Sequence, residues 1–450
     1  MFNLLHAQKE SNMWYFGSQA ALNFNSGVPV NVANSMMYTI EGCASISDSL
    51  GNLLFYTNGE NVWNKNNIVM PNGDSLGGHQ SATQAALIVP HPNSPGLYFL
   101  FTLQQQYTPP TTNFNFSYSK INMALNSGNG DVTQKNIVIK SPIAEKLAGV
   151  MHSNGTDVWI MVHGYGNDSL FAYLLTPVGL SQTPVVSKVG QSVNGVNSLG
   201  YMKFSPDGTK LAFACRTSNL VDLFDFDAGT GVVTNEKILT LPLPLNTFGA
   251  YGIEFSVSGN YLYASQLSAT AIYQWDLTSN IDSVINSTRH AFSSLPGTSL
   301  GALQMGPDGK IYLVKSGSNV LGIINNPELP GMQANFNSAG FILNGSNDVG
   351  LPNFIASNFL TVGTNEDPIN SFISTFPNPF NSEITIAFPK QNLKQGYIII
   401  KNILSQTVFE AKLESSQQEY QLDLTFLENG IYFLDLTIDG ERIVKKIVKE

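Results

Sequence analysis

The chain has 450 residues, 43% of them hydrophobic and only 12% charged, with a formal net charge of −10. Charged content is about half that of an average soluble protein, and the acidic balance argues against a nucleic-acid backbone or an anionic membrane as main partner. Cys43 and Cys215 are too few for a disulfide framework, and no CxxC, HxH or HExxH spacing points to zinc. No stretch reaches the roughly eighteen apolar residues of a membrane span. Neutral polar groups supply the missing polarity, which suits an extracellular protein. At the start, MFNLLHAQKES reads as the tail end of a signal peptide, with Ala7 near a cleavage point, or as a disordered tail.

From Trp14 onward the apolar runs are short, rich in aromatic and β-branched residues, and bounded by Gly, Pro, Asn or Asp. That is the signature of strands. One unit recurs: apolar strand, tight turn, apolar strand. Its clearest copy is Tyr201–Ala214, YMKFSPDGTKLAFA, where Pro206 presets the turn, Asp207 bonds the backbone ahead and Gly208 accepts positive φ. Other copies turn at Gly51, Gly96, Gly155, Gly259 and Gly309. The six turns lie 45–59 residues apart, the spacing of four-stranded propeller blades. The early strands Trp14–Phe24 and the late run Leu351–Leu360 remain over. Joined in one closing blade, they complete a seven-bladed ring without open edges. The long stretch 104–140 leaves eight blades as the alternative, and Ile143–Leu147 is compatible with a single helical turn.

After Leu360 the character changes. TVGTNEDPIN is a polar linker, and the strands Glu383–Phe388, Gly396–Asn402, Thr407–Leu413, Glu419–Leu424, Gly430–Ile438 and Arg442–Val448 alternate with period two, as in a small β-sandwich. The organisation expected is therefore all-β: residues 1–11 a leader remnant or tail, 12–361 a seven-bladed β-propeller, 362–371 a linker and 372–450 an Ig-like sandwich.

FSPDGTKLAF and MGPDGKIYLV resemble the blades of TolB-like and WD-repeat-like propellers. WYFGSQAALNFNSG, EGCASISDSLGNLLFYTNGENVWN, GHQSATQAALIVPHP and GLPNFIASNF together resemble a propeller family of secreted Bacteroidetes proteins, a resemblance that brings no assigned reaction. The tail resembles the type A C-terminal sorting domain of the type IX secretion system, through FPNPF at 376–380, IKNILSQTVFE, ENGIYFLDL and the basic end VKKIVKE. That resemblance implies recognition by the type IX machinery and export through the periplasm to the outer-membrane surface or the medium. It places the sorting signal on Pro377, Asn378, Pro379, Phe380, Gly430, Tyr432, Lys445 and Lys446.

Candidate ligand groups are fewer. Lys203, Glu254 and Gln304 each stand just before the last apolar residue of an inner strand, so they line a shared surface or pair between blades, Lys203 with Glu254. His79 and Gln84 lie in the loop GGHQSATQ at the channel mouth, and Tyr107 in the long Pro/Thr/Asn-rich excursion is a stacking candidate. No GxSxG elbow exists, and Arg216, Arg289 and Arg442 are too few for a sialidase. No catalytic residue, metal or cofactor is assigned. The expectation is a monomeric binding or scaffold module; the competing reading is a hydrolase or lyase acting on glycans or lactones at the propeller mouth. A mouth pocket holding two carboxylates favours the second, and a shallow neutral face the first.

Overall fold

A computed structural model describes residues 9–106, 114–242, 249–267, 271–292, 299–360, 374–387, 396–402, 406–413, 419–438 and 441–450. The chain divides into two compact units, Met1–Leu360 and Thr361–Glu450. The expectations for the leader, for Tyr107 and for the linker fall wholly or mainly outside the described residues.

In the first unit seven antiparallel sheets follow one another along the chain. Blade 1 is Met13–Phe16, Ala20–Asn23 and Val30–Asn31. Blades 2 to 7 begin with the inner strands Ala44–Ser47, Ala86–Pro90, Ile143–Met151, Met202–Phe204, Ala250–Phe255 and Leu300–Met305. These strands are almost wholly buried, whereas outer strands such as Asp131–Lys140 and Val232–Thr240 are largely open to solvent. Each turn singled out in the sequence joins the first and second strands of one of these six sheets. Gly208 closes its turn at φ +68°, a backbone region that side chains with a Cβ disfavour. The fold is a seven-bladed β-propeller. The stretch 104–140 is no extra blade, because Phe116–Asn122 and Asp131–Lys140 complete blade 3.

Both chain ends of the propeller meet, but not as one sheet. Trp14 and Phe24 of blade 1 pack edge-on against Tyr312 of blade 7, each with ring centroids 5.5 Å apart. Ser18 bridges Ser346, and the Asn344 N–H donates to Asn31 Oδ1 at 3.0 Å. The late run then leaves the sheets. Among the described residues it forms no ladder with Trp14–Phe24; residues 349–359 run along the ring axis instead. Val349 bonds Ile40 and Ala302, and the Asn353 N–H donates to the Cys43 carbonyl at 2.9 Å. Asn353 Nδ2 donates to the carbonyls of Leu147 at 2.9 Å and Ala86 at 3.3 Å. Ile355 bridges Gly149, the Met151 N–H donates to Ser357 Oγ at 3.0 Å, and Asn358 Nδ2 reaches Ser11 Oγ at 3.0 Å. Seven inner strands leave an axial gap, and filling it buries Leu351, Phe354, Ile355 and Phe359. The fit is close: a Cβ on Gly350 would stand 1.7 Å from the Glu41 carbonyl oxygen. The channel is thus plugged by the propeller's own chain.

The segment read as a possible helical turn, Ile143–Leu147, is strand. Its pairing with Val158–Gly164 slips between Ile143 and Leu147. This irregularity breaks the inward–outward alternation and lets two successive charged residues, Glu145 and Lys146, both be buried. The six-residue helix Asp282–Ser287 has no counterpart in the sequence reading. Cys43 and Cys215 are free and buried.

The second unit is two sheets around an apolar centre. One contains Ser374–Phe376, Glu383–Ala387 and Glu419–Asp423; the other contains Thr407–Leu413, Gly396–Asn402, Gly430–Ile438 and Glu441–Lys449. Phe380, Ile384, Ile386, Ile398, Ile400, Leu434 and Ile447 fill the space between them.

Candidate functional site

One polar cluster stands on the inner strands and another gathers at the mouth around Glu145. The first is in the channel. Lys203 Nζ lies 3.2 Å from Glu254 Oε2 and also donates to Gln304 Oε1. These three come from blades 5, 6 and 7 and are at most 5% exposed. The Met305 and Phe255 N–H groups donate to the two Glu254 oxygens, and Gln304 Nε2 donates to the Met305 carbonyl. Burial raises the Glu254 carboxyl above its ordinary range, and the Lys203 charge opposes that shift. The remaining space, against Pro206, Phe354 and Phe359, is about 10 Å³, the scale of a single water. The cluster is bonded to itself and sealed by the axial segment.

The second cluster surrounds a 230 Å³ cavity at the mouth where the inner strands begin. Glu41 comes from the approach to blade 2, Ser81 and Gln105 from blade 3, and Glu145 from blade 4. Arg216 follows the second strand of blade 5, and Val196 and Leu199 on the link between blades 4 and 5 supply an apolar wall. Glu145 is fully buried. Its Oε2 accepts from the Thr83 N–H at 2.7 Å and the Thr83 hydroxyl at 3.1 Å, and its Oε1 from the Gln106 N–H at 2.8 Å. The Tyr251 hydroxyl donates to Glu41 Oε2 at 2.7 Å. Burial, reinforced by the nearby Glu41 charge, pushes the Glu145 carboxyl up from 4.5 to about 7. Burial also raises Glu41, against the opposing influence of Tyr251, Thr83 and Arg216. Behind this wall Lys146 is fully buried, and its ammonium donates to the carbonyls of Leu199, Gly200 and Ala214 at 2.9, 3.0 and 2.7 Å. Burial lowers its pKa to about 8. Lys146 therefore fixes the chain that carries Leu199.

The sequence candidates divide accordingly. Lys203, Glu254 and Gln304 come together in the channel. Gln84 is buried away from both mouth and channel space: its Oε1 accepts from the Leu147 and Met202 N–H groups, and its Nε2 donates to the Met202 carbonyl, tying blades 3, 4 and 5. His79 stands beside Glu60, with Nε2 3.8 Å from Oε1, and accepts the Ser81 N–H through Nδ1. Glu41, Glu145 and Arg216 were missed. The one available signal was the charged pair Glu145-Lys146 inside the otherwise apolar run IAEKLAGVM.

In the second unit, Asn378 Oδ1 accepts the Val448 N–H at 2.9 Å, and Phe380 exchanges backbone bonds with Val448 and Glu450. The FPNPF turn is thereby tied to the final strand. Pro377 and Pro379 are exposed within that turn. Gly430 opens its strand, and the Tyr432 hydroxyl donates to the Glu428 carbonyl at 2.8 Å. Lys445 and Lys446 oppose Leu434 and Phe433 in the last ladder.

Residues 374–450 match the family model of the secretion system C-terminal sorting domain. The chain thus carries a type IX sorting domain that directs export to the cell surface or the extracellular space and is handled by that machinery. No curated protein matches the sequence. Among solved structures, one similar protein is from Lactobacillus plantarum, with 12% identity, 82% of this chain and 95% of that chain covered, and a TM-score of 0.38. Another is Hsv2 of Kluyveromyces lactis, with 10% identity, 70% and 90% covered, and a TM-score of 0.38. A third, described as a candidate 6-phosphogluconolactonase, is from Bacteroides fragilis NCTC 9343; it has 14% identity, 75% and 96% covered, and a TM-score of 0.40. Among the described residues no helix is long and apolar enough to cross a membrane, and no group of three or more His, Cys, Asp or Glu is placed to hold a metal ion.

Proposed function

We propose that the protein is an exported binding module whose propeller presents one ligand site, the mouth cavity of blades 2 to 5. The supporting observation is the contrast in openness: the channel is filled by residues 349–359, while the mouth keeps 230 Å³ lined by charged and polar side chains. A hydrolase or lyase acting on glycans or lactones is the second reading. It is favoured by the carboxylate pair Glu41 and Glu145, with Glu145 raised to about 7. Against it, among the described residues the hydrogen bonds that Glu145 accepts come from Thr83 and Gln106, and the side chain is fully buried. A general acid must instead aim a proton at the leaving group. In the binding reading Lys203, Glu254, Gln304 and Gln84 order the blades, and His79 flanks the site. The finer readings belong to the same proposal: TolB-like or WD-like blades, a Bacteroidetes lineage and a monomeric state.

Proton NMR of the purified full chain with glycans and lactones separates the two readings. Line broadening with the compound unchanged supports binding; appearance of a new product overturns it in favour of the enzyme. For the tail, deleting residues 371–450 is expected to trap the protein in the periplasm, and unchanged secretion of that deletion would refute the sorting role of these residues.

A further inference from the structure

We propose that the mouth cavity binds a small zwitterion, a free amino acid with an aliphatic side chain. Its ammonium group sits beside Glu41 in the field of Glu145, and its carboxylate sits on Arg216. This rests on the binding reading above and names its ligand class.

The lining selects against simpler ligands. An anion meets two carboxylates. A cation without a carboxylate gains from them but is repelled by Arg216, and a neutral polyol makes use of neither sign of charge. A molecule with both charges answers each group: Glu41 and Arg216 arrive from blades 2 and 5, three blades apart around the ring, and both line the cavity. Guanidinium and carboxylate match in bidentate geometry. Ser81 and Gln105 add hydrogen-bonding groups, and Val196 with Leu199 offers the apolar wall that an aliphatic side chain needs. At 230 Å³ the space is below the roughly 300 Å³ at which pockets begin to house drug-sized ligands, so a single amino acid is the fitting size.

Protonation supports the same occupant. The groups facing the cavity carboxylates are Tyr251 of blade 6, Lys146 of blade 4, Arg216 and Asp348, with Thr83 between the acids. Burial, with the like charge of Glu41 added, raises the Glu145 carboxyl to about 7. An ammonium group relieves that repulsion, so its binding releases the proton and tightens as pH rises through this value.

The test is calorimetry on the full chain with four probes: L-leucine; leucinamide, which lacks the carboxylate and mimics a peptide N-terminus; 4-methylpentanoate, which lacks the amine; and methyl glucoside. Leucine is expected to bind, with the other three at least tenfold weaker. E41Q and R216Q each weaken leucine about tenfold or more, whereas R216Q strengthens leucinamide by lifting the repulsion between the two cations. Thermal unfolding of both variants checks that they fold, and the four-probe ranking on the wild type needs no variant. Leucinamide binding as tightly as leucine overturns the free amino acid in favour of a peptide terminus. Preferred binding of methyl glucoside overturns the zwitterion but leaves the binding module standing. No saturation by any probe up to about 10 mM overturns the zwitterion. If a broad extracellular metabolite set then also fails, the binding reading falls with it.

Discussion

The propeller carries two acid–base clusters of similar chemistry and opposite fate. In the channel, one lysine, one glutamate and one glutamine from three adjacent blades satisfy each other beneath a plug. At the mouth, two glutamates and an arginine face 230 Å³ of space, with one acid anchored to backbone N–H groups and the other to a tyrosine. Position along the inner strand decides between them. Glu254 and Gln304, next to last in their strands, lie against the axial segment, whereas Glu145, near the start of its strand, lines the mouth cavity. Charge alone identifies neither role; closure does.

Four measurements can break or sharpen this contrast. The largest effect is expected in the channel. Lys203→Met strands Glu254 without its counter-charge and should cost about 3–5 kcal/mol in denaturant unfolding. Adding Glu254→Gln should recover part of that loss through coupling. If Lys203→Met is silent, the channel trio is not the lock described here. Second, Asn353→Ala removes two buried bonds from the plug to Ala86 and Leu147, with an expected loss of about 1–3 kcal/mol.

Third, pH should separate the clusters. Glu145 has its folded pKa raised from 4.5 to about 7, so the native state holds more protons than the unfolded chain in that window. Stability therefore falls as pH rises from 4.5 to 7. Asp222, pushed by burial from 3.8 to about 7, acts in the same direction. His163 is lowered by burial from 6.5 to about 4, so its contribution is lost as pH falls through that range. Unfolding free energies at pH 5 and 7 should differ less in Glu145→Gln than in wild type, by on the order of 1–2 kcal/mol. An unchanged difference would mean that Glu145 is ionised throughout. The smallest effect is Glu41→Gln, where the amide oxygen still accepts from Tyr251. A stability change under about 1 kcal/mol is expected, because its role faces outward.

Much of the ring was legible because turn chemistry is local. SPDG and its relatives need particular residues at fixed offsets, and their spacing counted six blades directly. The alternating strands of the tail were readable for a similar reason: period two exposes one face and buries the other. The Lys203–Glu254 pair also followed, since equivalent positions on successive inner strands are neighbours in a propeller. The plug did not follow. GLPNFIASNFL reads as an apolar strand, and nothing local tells the axis from the sheet. The mouth site was hidden for a different reason. Glu41, Glu145 and Arg216 are 104 and 71 residues apart in the sequence, and Glu145 points where it does only because of an irregularity in its strand pairing. Closure of the ring, a long-range event, brings them together.

The meeting of Ser11 and Asn358 at 3.0 Å has a topological consequence. Both ends of the propeller lie at one place on the ring, so its order of blades is circular even though the chain is linear. A permuted propeller, with residues 9 and 360 joined by a short linker and new ends opened in the exposed turn at Asn154 and Gly155, keeps every sheet and keeps the axial segment threaded. The seam is then one of several places where the ring can be opened, provided the axial segment stays whole and keeps its bonds to Cys43, Ala86 and Leu147.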